Sequence, residues 1–401
     1  MTRVKFAAVF AVCFAAAVAT QLLCNPLYTY LPDIPSPQCK FRPAIWNCPA
    51  FPTYTSGCIL QSQEKLFAAL RKGWKGLSIG ELHDFVGYRA HEIHSKLQAY
   101  YNRRRVIMVG DSLMRQYYEA TSCRLGLPIT WYNVGANWAD SLDPEKRLAR
   151  VTNASGVKIV PFSKPPVGYT NVSGYSMSST EVANDNDRID YCGFETKLEY
   201  FKYDAWPKFH NMTKFFEALL ANDFEDPSIN KHLDKDPLII VNLGIHSAAK
   251  LGRETYQSHV NKVMEACGAF NKNRGDDSSN KPKIQCIYRD IMPQHFQPRG
   301  PMKEFPPNWK YNFRETNGCG PHDPNQNSVN FVNFEEYYDM AASNNVPVIK
   351  ILTNQFWKDA WNWHNNNDCT HFCMDPQLWD MLHLSFVELM EKEDPGGFMA
   401  L

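Results

Sequence analysis

The chain has 401 residues, of which 44% are hydrophobic, and its 42 basic side chains balance 42 acidic ones. Such a composition is typical of a globular protein with one sizeable core or at most two domains. Because nucleic-acid binding normally requires a basic excess, a formal net charge of zero leads us to expect no nucleic-acid partner.

The first residues predict entry into the secretory pathway. A basic start precedes an apolar stretch from Phe6 to Leu23, and about 18 residues is the lower limit for a membrane-spanning helix. The segment Ala17-Val18-Ala19 equally matches a signal-peptidase site. Residues 1–24 are therefore either an uncleaved signal anchor or a cleaved signal peptide. Because the positive flank stays in the cytosol, the rest of the chain enters the lumen in both cases.

The cysteines and glycosylation sequons agree with a luminal location. Ten of the twelve cysteines follow residue 24, and an even number suits disulfides in an oxidising compartment. No two cysteines have the CxxC spacing that is typical of zinc ligands, so we expect no metal site. Sequons that would be read in the same lumen begin at Asn153, Asn171 and Asn211.

Residues 25–100 predict a disulfide-linked segment that packs on the main body. They hold many prolines and the cysteines Cys39, Cys48 and Cys58, and they end in a polar, partly helical stretch. A segment with so little hydrophobic periodicity does not indicate an independent domain. We expect the main domain to span residues 101–395.

This main domain has the pattern of an α/β fold. Short apolar runs rich in β-branched residues predict strands that are buried on both faces of a parallel sheet, namely Val106–Val109, Leu238–Leu243, Ile284–Tyr288 and Val346–Leu352. Other segments predict the helices Leu113–Leu125, Ser247–Phe270, Phe334–Ser343 and Pro376–Glu391. The alternation predicts three layers, with helices on both faces of the sheet.

Two parts of the main domain do not follow this pattern. The interval from Asn133 to Asp236 has no strong hydrophobic period, and we expect an irregular insertion of the kind that carries substrate specificity. The basic run Arg103-Arg104-Arg105 directly precedes the first predicted strand. We expect it to flank that strand on the solvated side rather than to bind phosphate.

The segment from Val106 to Ser112 predicts a nucleophile. A buried strand runs into the turn Gly110-Asp111, which ends at a serine and leads into a helix. A serine in this place projects its hydroxyl from the end of the sheet, beside a helix amino terminus that can receive an anion. We expect Asp111 to tie the turn together. The alternative is that Ser112 simply caps the helix.

The segment from Asp368 to Cys373 supplies a carboxylate and an imidazole. We expect His371 to take the proton of Ser112 and return it to the leaving group, while Asp368 holds the imidazole in the required tautomer. The alternative is a solvated loop, but disulfides at Cys369 and Cys373 would keep such a loop rigid.

A second Asp-x-x-His pair, Asp380 and His383, competes with the first. It falls in the predicted C-terminal helix, where residues three apart share a face without any functional reason. We therefore expect a surface or half-buried pair with no catalytic role.

An oxyanion site is expected beside Ser112. Candidate donors are its main-chain N–H and the side chain of Asn242 at the end of the second predicted strand, and one such donor stabilises the transition state by about 3 kcal/mol. Gly135 is the candidate for a third donor, and a polar turn that ends a strand is the alternative for Asn242. Expected pocket residues, each with a structural role as its alternative, are Arg115, His246, Arg289 and His295.

Together these motifs resemble the plant trichome-birefringence-like polysaccharide O-acetyltransferases and the wider PC-esterase family. The turn Gly110-Asp111-Ser112 followed by Arg115, and the segment Asp368–Cys373, carry the resemblance. Further agreement lies in Cys123, in Asn242–Gly244 with His246, in Arg289 with Pro293–Phe296, and in Trp309, Gly318-Cys319 and Trp379. The family's Asn-x-Gly-His block has one extra residue, Ile245, before the histidine in this chain. The chain departs from the plant pattern at Gln116, where Asn is usual, and at Met374-Asp375, where Leu-Pro-Gly is usual.

The resemblance implies an SGNH-type fold and acetyl transfer to a sugar hydroxyl of a polysaccharide or glycoconjugate through an acyl-Ser112 intermediate. The acetyl donor is then a co-substrate, and no cofactor is implied. The implied location is the Golgi membrane with a luminal catalytic domain, and a secreted protein is the alternative. The implied disulfides are Cys319–Cys369, Cys58–Cys373 and Cys48–Cys123, while Cys39, Cys192, Cys267 and Cys286 stay open.

Two other functions remain open at this point. A carbohydrate O-acetyl esterase would use the same three residues with water as the acceptor. A non-catalytic ectodomain that binds glycans is the third hypothesis, although the complete set of Ser, His and Asp argues against it.

Overall fold

The fold is that of a computed structural model, which describes residues 41–42, 45–46, 93–125, 127, 129–134, 148–153, 156–161, 172–179, 194–203, 212–221, 233–244, 253–274, 285–298, 316–320, 334–351, 357, 360–365, 368–372 and 376–398. Residues 1–24 and most of the predicted segment 25–100 lie outside these ranges. Within the described part, no helix is both long enough and apolar enough to cross a bilayer.

The described strands, in chain order, are β1 (Phe41–Arg42), β2 (Ile45–Trp46), β3 (Arg104–Gly110), β4 (Thr130–Val134), β5 (Leu148–Asn153), β6 (Gly156–Pro161), β7 (Val172–Ser179), β8 (Thr196–Tyr203), β9 (Lys235–Val241), β10 (Gln285–Arg289), β11 (Phe296–Pro298), β12 (Thr316–Cys319), β13 (Val348–Ile349), β14 (His364–Asn365) and β15 (Asp368–Phe372). The helices are α1 (residues 93–101), α2 (Ser112–Arg124), α3 (Met212–Ala221), α4 (Arg253–Arg274), α5 (Phe334–Ser343) and α6 (Pro376–Glu393), with 3-10 turns at Ala360–Trp363 and Pro395–Phe398.

The centre of the fold is a set of five parallel strands in the order β13-β10-β9-β3-β8. Every residue of β3 is buried, as expected for a strand that is covered on both faces. Helix α2 lies against β3 and β8 and α6 packs on it, whereas α4 lies against β10 and contacts α3 and α5. The predicted α/β class with a parallel sheet is confirmed by this arrangement.

Strand β8 lies within the interval for which the sequence predicts an irregular insertion, and that prediction is wrong here. β8 pairs with β3 along the whole length of β3, and beyond β8 the sheet continues through the antiparallel strands β7, β4, β5 and β6. The polar residues Lys197 and Glu199 interrupt its apolar pattern, although both are buried. Arg105 of β3 donates from Nε to the Glu199 carboxylate at 2.5 Å. Because this cross-strand ion pair places charged residues in a central strand, the sequence of β8 lacks the apolar pattern of a buried strand.

The basic run before β3 is mostly buried rather than solvated. Only Arg103 is exposed, while Arg104 and Arg105 begin the strand inside the fold. Arg104 Nη1 donates to the carbonyl of Asp236 at 2.9 Å, and Arg105 Nη1 donates to the carbonyl of Leu220 at 2.8 Å. The prediction of a solvated flank is therefore wrong for two of the three arginines, because their guanidinium groups bind main-chain oxygens of neighbouring elements.

The competing pair, Asp380 and His383, is buried in the interface between α6 and α2, so the prediction of a surface or half-buried pair is wrong. Arg124 of α2 donates to the Asp380 carboxylate at 2.7 Å. The Thr121 hydroxyl donates to a carbonyl of its own helix and lies 3.1 Å from His383 Nε2, while His383 Nδ1 faces the Asp380 carboxylate at 3.5 Å. Burial lowers the pKa of His383. The pair thus joins two helices.

Removing the Asp380 carboxylate should destabilise the fold strongly, because the Arg124 guanidinium would stay buried without this ion partner. We expect Asp380→Ala to lower the free energy of unfolding, measured with urea, by about 3–5 kcal/mol. The control is Glu391→Ala, which breaks an ion pair with Lys96 whose side chains are 33% (Lys96) and 43% (Glu391) exposed, and it should cost less than about 1 kcal/mol. Equal losses in the two variants would contradict this interpretation.

Candidate active site

Ser112 lies at the turn between β3 and α2. Strand β3 ends at Gly110, and Ser112 is the first residue of the helix. The carboxylate of Asp111 accepts a hydrogen bond from the N–H of Leu113 at 3.0 Å, which is the geometry of a helix N-cap. A Cβ on Gly110 would come within 2.7 Å of the Met114 side chain. A glycine is therefore required where the helix folds back over the strand.

Neighbouring strands hold this turn in place. Tyr200 of β8 donates its hydroxyl to the carbonyl of Asp111 at 2.9 Å. On the other side, the N–H of Asn242 donates to the carbonyl of Val109 at 2.9 Å. Gly244 lies so close to the Asp111 carboxylate that a Cβ would overlap it. The expected role of Asp111 in tying the turn together agrees with these contacts.

His371 lies in an irregular part of β15. The ladder pairs His364 with Phe372 and Asn365 with Asp368, so one step along β14 corresponds to four steps along β15. The extra residues, His371 among them, form a bulge. Bulges are frequent next to functional sites, where they commonly redirect side chains.

The structure brings His371 to Ser112. The distance from His371 Nε2 to Ser112 Oγ is 2.6 Å, and both side chains are partly buried. For this contact to activate the serine, the hydroxyl must donate to Nε2, so the ring proton of a neutral His371 belongs on Nδ1. The side chain of Asp368, which we expect to accept from Nδ1, lies outside the described side chains. The contact has the geometry of a nucleophile with its general base.

Two buried histidines lie behind His371. His364 donates from Nδ1 to the carbonyl of His371 at 2.9 Å. Because a neutral imidazole carries only one ring proton, Nε2 of His364 then accepts from Nδ1 of His295 at 2.6 Å. His295 is fully buried, which favours a structural role over that of a pocket residue. Sequence reasoning missed His364, because it precedes the run Asn365–Asn367, which indicates only a solvated loop.

A disulfide joins Cys369 of β15 to Cys319 of β12, with an S–S distance of 2.08 Å, and this is the pairing that the resemblance implies. The N–H of His295 also donates to the carbonyl of Cys369, at 3.3 Å. A second disulfide, which the sequence left open, joins Cys267 of α4 to Cys286 of β10. The first disulfide thus anchors the strand that carries His371, and the second links a helix to the sheet.

The side chain of Asn242 is directed at the main chain. Its Nδ2 donates to the carbonyl of Arg289 at 2.8 Å, and the residue is only 1% exposed. This geometry favours the alternative of a polar residue that ends a strand over an oxyanion donor. Gly135 lies outside the described residues. The main-chain N–H of Ser112 belongs to the first turn of α2, whose N–H groups have no intrahelical acceptor, and it stays a candidate donor.

The two expected pocket arginines differ in their surroundings. Arg115 is partly exposed, and its Nε donates to the buried carboxyl group of Glu119 at 2.7 Å. Burial raises the pKa of Glu119 to about 8, against the lowering effect of Arg115. Arg289 is fully buried, and burial lowers its pKa although the charge of Asp111 opposes this shift. A buried cation therefore lies near the carboxylate that caps α2.

Several expected residues lie outside the described part of the chain or have side chains outside it. Those outside the described residues are His246, Cys39, Cys48, Cys58, Cys192, Cys373, Asn171 and Asn211. Cys123 and Asn153 lie in a described helix and strand, but their side chains are outside the described ones. The predictions made for all of these residues stay predictions.

Comparison with known proteins gives no family assignment: neither a protein-family model nor a curated protein sequence matches the chain. The resemblance that the motifs carry therefore stays a prediction.

Loss of the Cys319–Cys369 disulfide should impair the site before it impairs the sheet. The bond spans 50 residues, and closing such a loop contributes about 4 kcal/mol in the chain-entropy model. We expect the double Cys→Ala variant to lose most of its reaction with a serine-directed fluorophosphonate, while its circular dichroism stays native. The control variant lacks Cys267 and Cys286, whose bond spans 19 residues, and should keep that reaction. Equal reactivity of both variants would contradict this prediction.

Glu119 should make the stability depend on pH. Its carboxyl group has a pKa of about 8 in the fold, against an ordinary value of 4.5, so between these values only the folded state keeps the proton. The stability from the neutral carboxyl is complete below about pH 4.5 and is lost as the pH rises through about 8. Glu119→Gln should therefore gain free energy of unfolding relative to wild type, by up to about 1.4 kcal/mol per pH unit in this window. Urea unfolding from about pH 5 to 8 measures the gain, and a constant difference between the two proteins would refute it.

Proposed function

We propose that this chain is a serine-dependent O-acyltransferase that moves an acetyl group onto a sugar hydroxyl in the secretory pathway. The observation that carries the proposal is the 2.6 Å contact between Ser112 Oγ and His371 Nε2. These residues are 259 positions apart in the sequence. Neither a serine that only caps a helix nor a solvated loop requires them to meet, whereas nucleophilic catalysis does.

The first half-reaction forms the acyl-enzyme. Ser112 Oγ attacks the carbonyl carbon of the acetyl donor while His371 takes the hydroxyl proton, and main-chain N–H groups at the start of α2 stabilise the oxyanion. His371 then gives this proton to the departing group of the donor, which leaves acetyl-Ser112. The proposed part of Asp368 is to hold the imidazole in its tautomer and to stabilise its charged form.

The second half-reaction transfers the acetyl group. His371 takes the proton of a sugar hydroxyl, whose oxygen attacks the carbonyl carbon of acetyl-Ser112. The bond between this carbon and Ser112 Oγ breaks, and the proton returns to Oγ. An acetylated sugar leaves, and the free serine is regenerated without any cofactor.

The substrate class and the location rest on the resemblance to the trichome-birefringence-like and PC-esterase families. An SGNH-type three-layer fold is compatible with the parallel sheet, and Ser112 follows the carboxyl end of β3, where ligands bind such sheets. The proposed acceptor is a polysaccharide or glycoconjugate. The expected signal anchor or signal peptide assigns the reaction to the lumen, at the Golgi membrane or in secreted protein.

One experiment separates transfer from the competing reactions. The purified protein is incubated with p-nitrophenyl acetate, with and without oligosaccharides, and both acetate release and sugar mass are followed. Transfer predicts acetylated sugars and a fall in acetate release as acceptor is added. Acetate release alone would make the protein an esterase, and glycan binding without turnover would make it a non-catalytic ectodomain.

Ser112 and His371 should both be essential, whereas His383 should not. A serine-directed fluorophosphonate should label the wild type but not Ser112→Ala, and His371→Ala should be nearly unreactive because losing the base costs several orders of magnitude in rate. His383→Ala, which loses a buried contact with Thr121, should be less stable yet react normally when folded. If His383→Ala were unreactive and His371→Ala normal, the site would belong on α6.

A further inference from the structure

Gln116 connects the helix that begins at Ser112 to the strand that carries His371. It follows Ser112 by four residues, or about one turn of α2, and it is only 3% exposed. Its Nε2 donates to the carbonyl of Phe372 at 2.7 Å, and its Oε1 accepts from the N–H of the same residue at 3.2 Å. One side chain therefore binds both main-chain polar groups of the residue next to His371.

This double contact depends on the chemistry of a carboxamide. An amide presents one donor nitrogen and one acceptor oxygen side by side, which matches the N–H and C=O of a single strand residue. A carboxylate lacks the donor, and an aliphatic side chain lacks both groups. Gln116 binds the main chain of Phe372 as a residue of a neighbouring strand would. The two hydrogen bonds together restrain the position and the orientation of the peptide units beside His371.

We propose that Gln116 is a positioning residue for the Ser112–His371 pair, an inference that rests on the proposed function. Its side chain leaves the same helix as the nucleophile, so it sets the distance between the nucleophile and the base directly. His364 holds the carbonyl of His371 at 2.9 Å, and Gln116 holds the following residue. Since a misplacement of about 1 Å can cost about a hundredfold in rate, loss of this contact acts on catalysis more than on substrate binding.

The test compares Gln116→Met and Gln116→Ala with a control on the same helix. Gln116→Met keeps most of the side-chain volume and removes both hydrogen bonds. The control is Thr121→Val, which removes the hydroxyl that bonds His383 at 3.1 Å and so destabilises α2 without touching β15. For each full-length variant, kcat and KM for p-nitrophenyl acetate, the rate of fluorophosphonate labelling and the thermal midpoint are measured.

We expect both Gln116 variants to lower kcat and the labelling rate by about tenfold to a hundredfold, with KM within about twofold of wild type. Thr121→Val should lower the thermal midpoint by about as much as the Gln116 variants do, and it should leave kcat and the labelling rate close to wild type.

Wild-type rates in Gln116→Met would overturn the proposal, and so would an equal loss of rate in Thr121→Val, because the effect would then follow stability alone. Ser112→Ala separates this failure from that of the proposed function. If Ser112→Ala is unlabelled while Gln116→Met reacts normally, only the positioning role fails. Labelling of Ser112→Ala at the wild-type rate would overturn both.

Discussion

Ser112 and His371, which are 259 residues apart in the sequence, meet at 2.6 Å, and the rest of the candidate site depends on this contact. The two sides are built differently. Ser112 follows a fully buried strand of the parallel sheet and begins a helix, so its position follows from the core. His371 lies in a bulge of a short strand outside that sheet. The position of His371 therefore depends on individual contacts between β15 and other parts of the chain.

Those contacts are directional. Apolar burial stabilises the fold in proportion to area and has no preferred direction, so by itself it does not set a distance to a few tenths of an ångström. Hydrogen bonds and disulfides have narrow geometries. The strand of His371 is held by a disulfide at Cys369, by His364 at the carbonyl of His371, and by Gln116 at both polar groups of Phe372. Three of the five residues of β15, namely Cys369, His371 and Phe372, are thus anchored by different parts of the chain.

The sequence predicts those elements in which the pattern of apolar residues matches the local structure. The apolar part of strand β3, Val106–Val109, and helix α5 were predictable, because a strand buried on both faces is a short apolar run and an amphipathic helix has its own period. Strand β8 was not, since Lys197 and Glu199 are buried as charged partners and read as solvated. The Ser112–His371 pair was predictable from motifs, but His364 and the contacts of Gln116 were not. Their role depends on which main-chain groups they meet, and no sequence spacing encodes that.

Mass spectrometry of the trapped acyl-enzyme tests the central claim most directly. The protein is mixed with p-nitrophenyl acetate, quenched in acid within the first turnover and digested. The account predicts one peptide that gains the mass of an acetyl group at Ser112, and no such gain in folded His371→Ala. Acetylation at another residue, or acetyl-Ser112 at the wild-type level in His371→Ala, would contradict the pairing of this serine with this histidine.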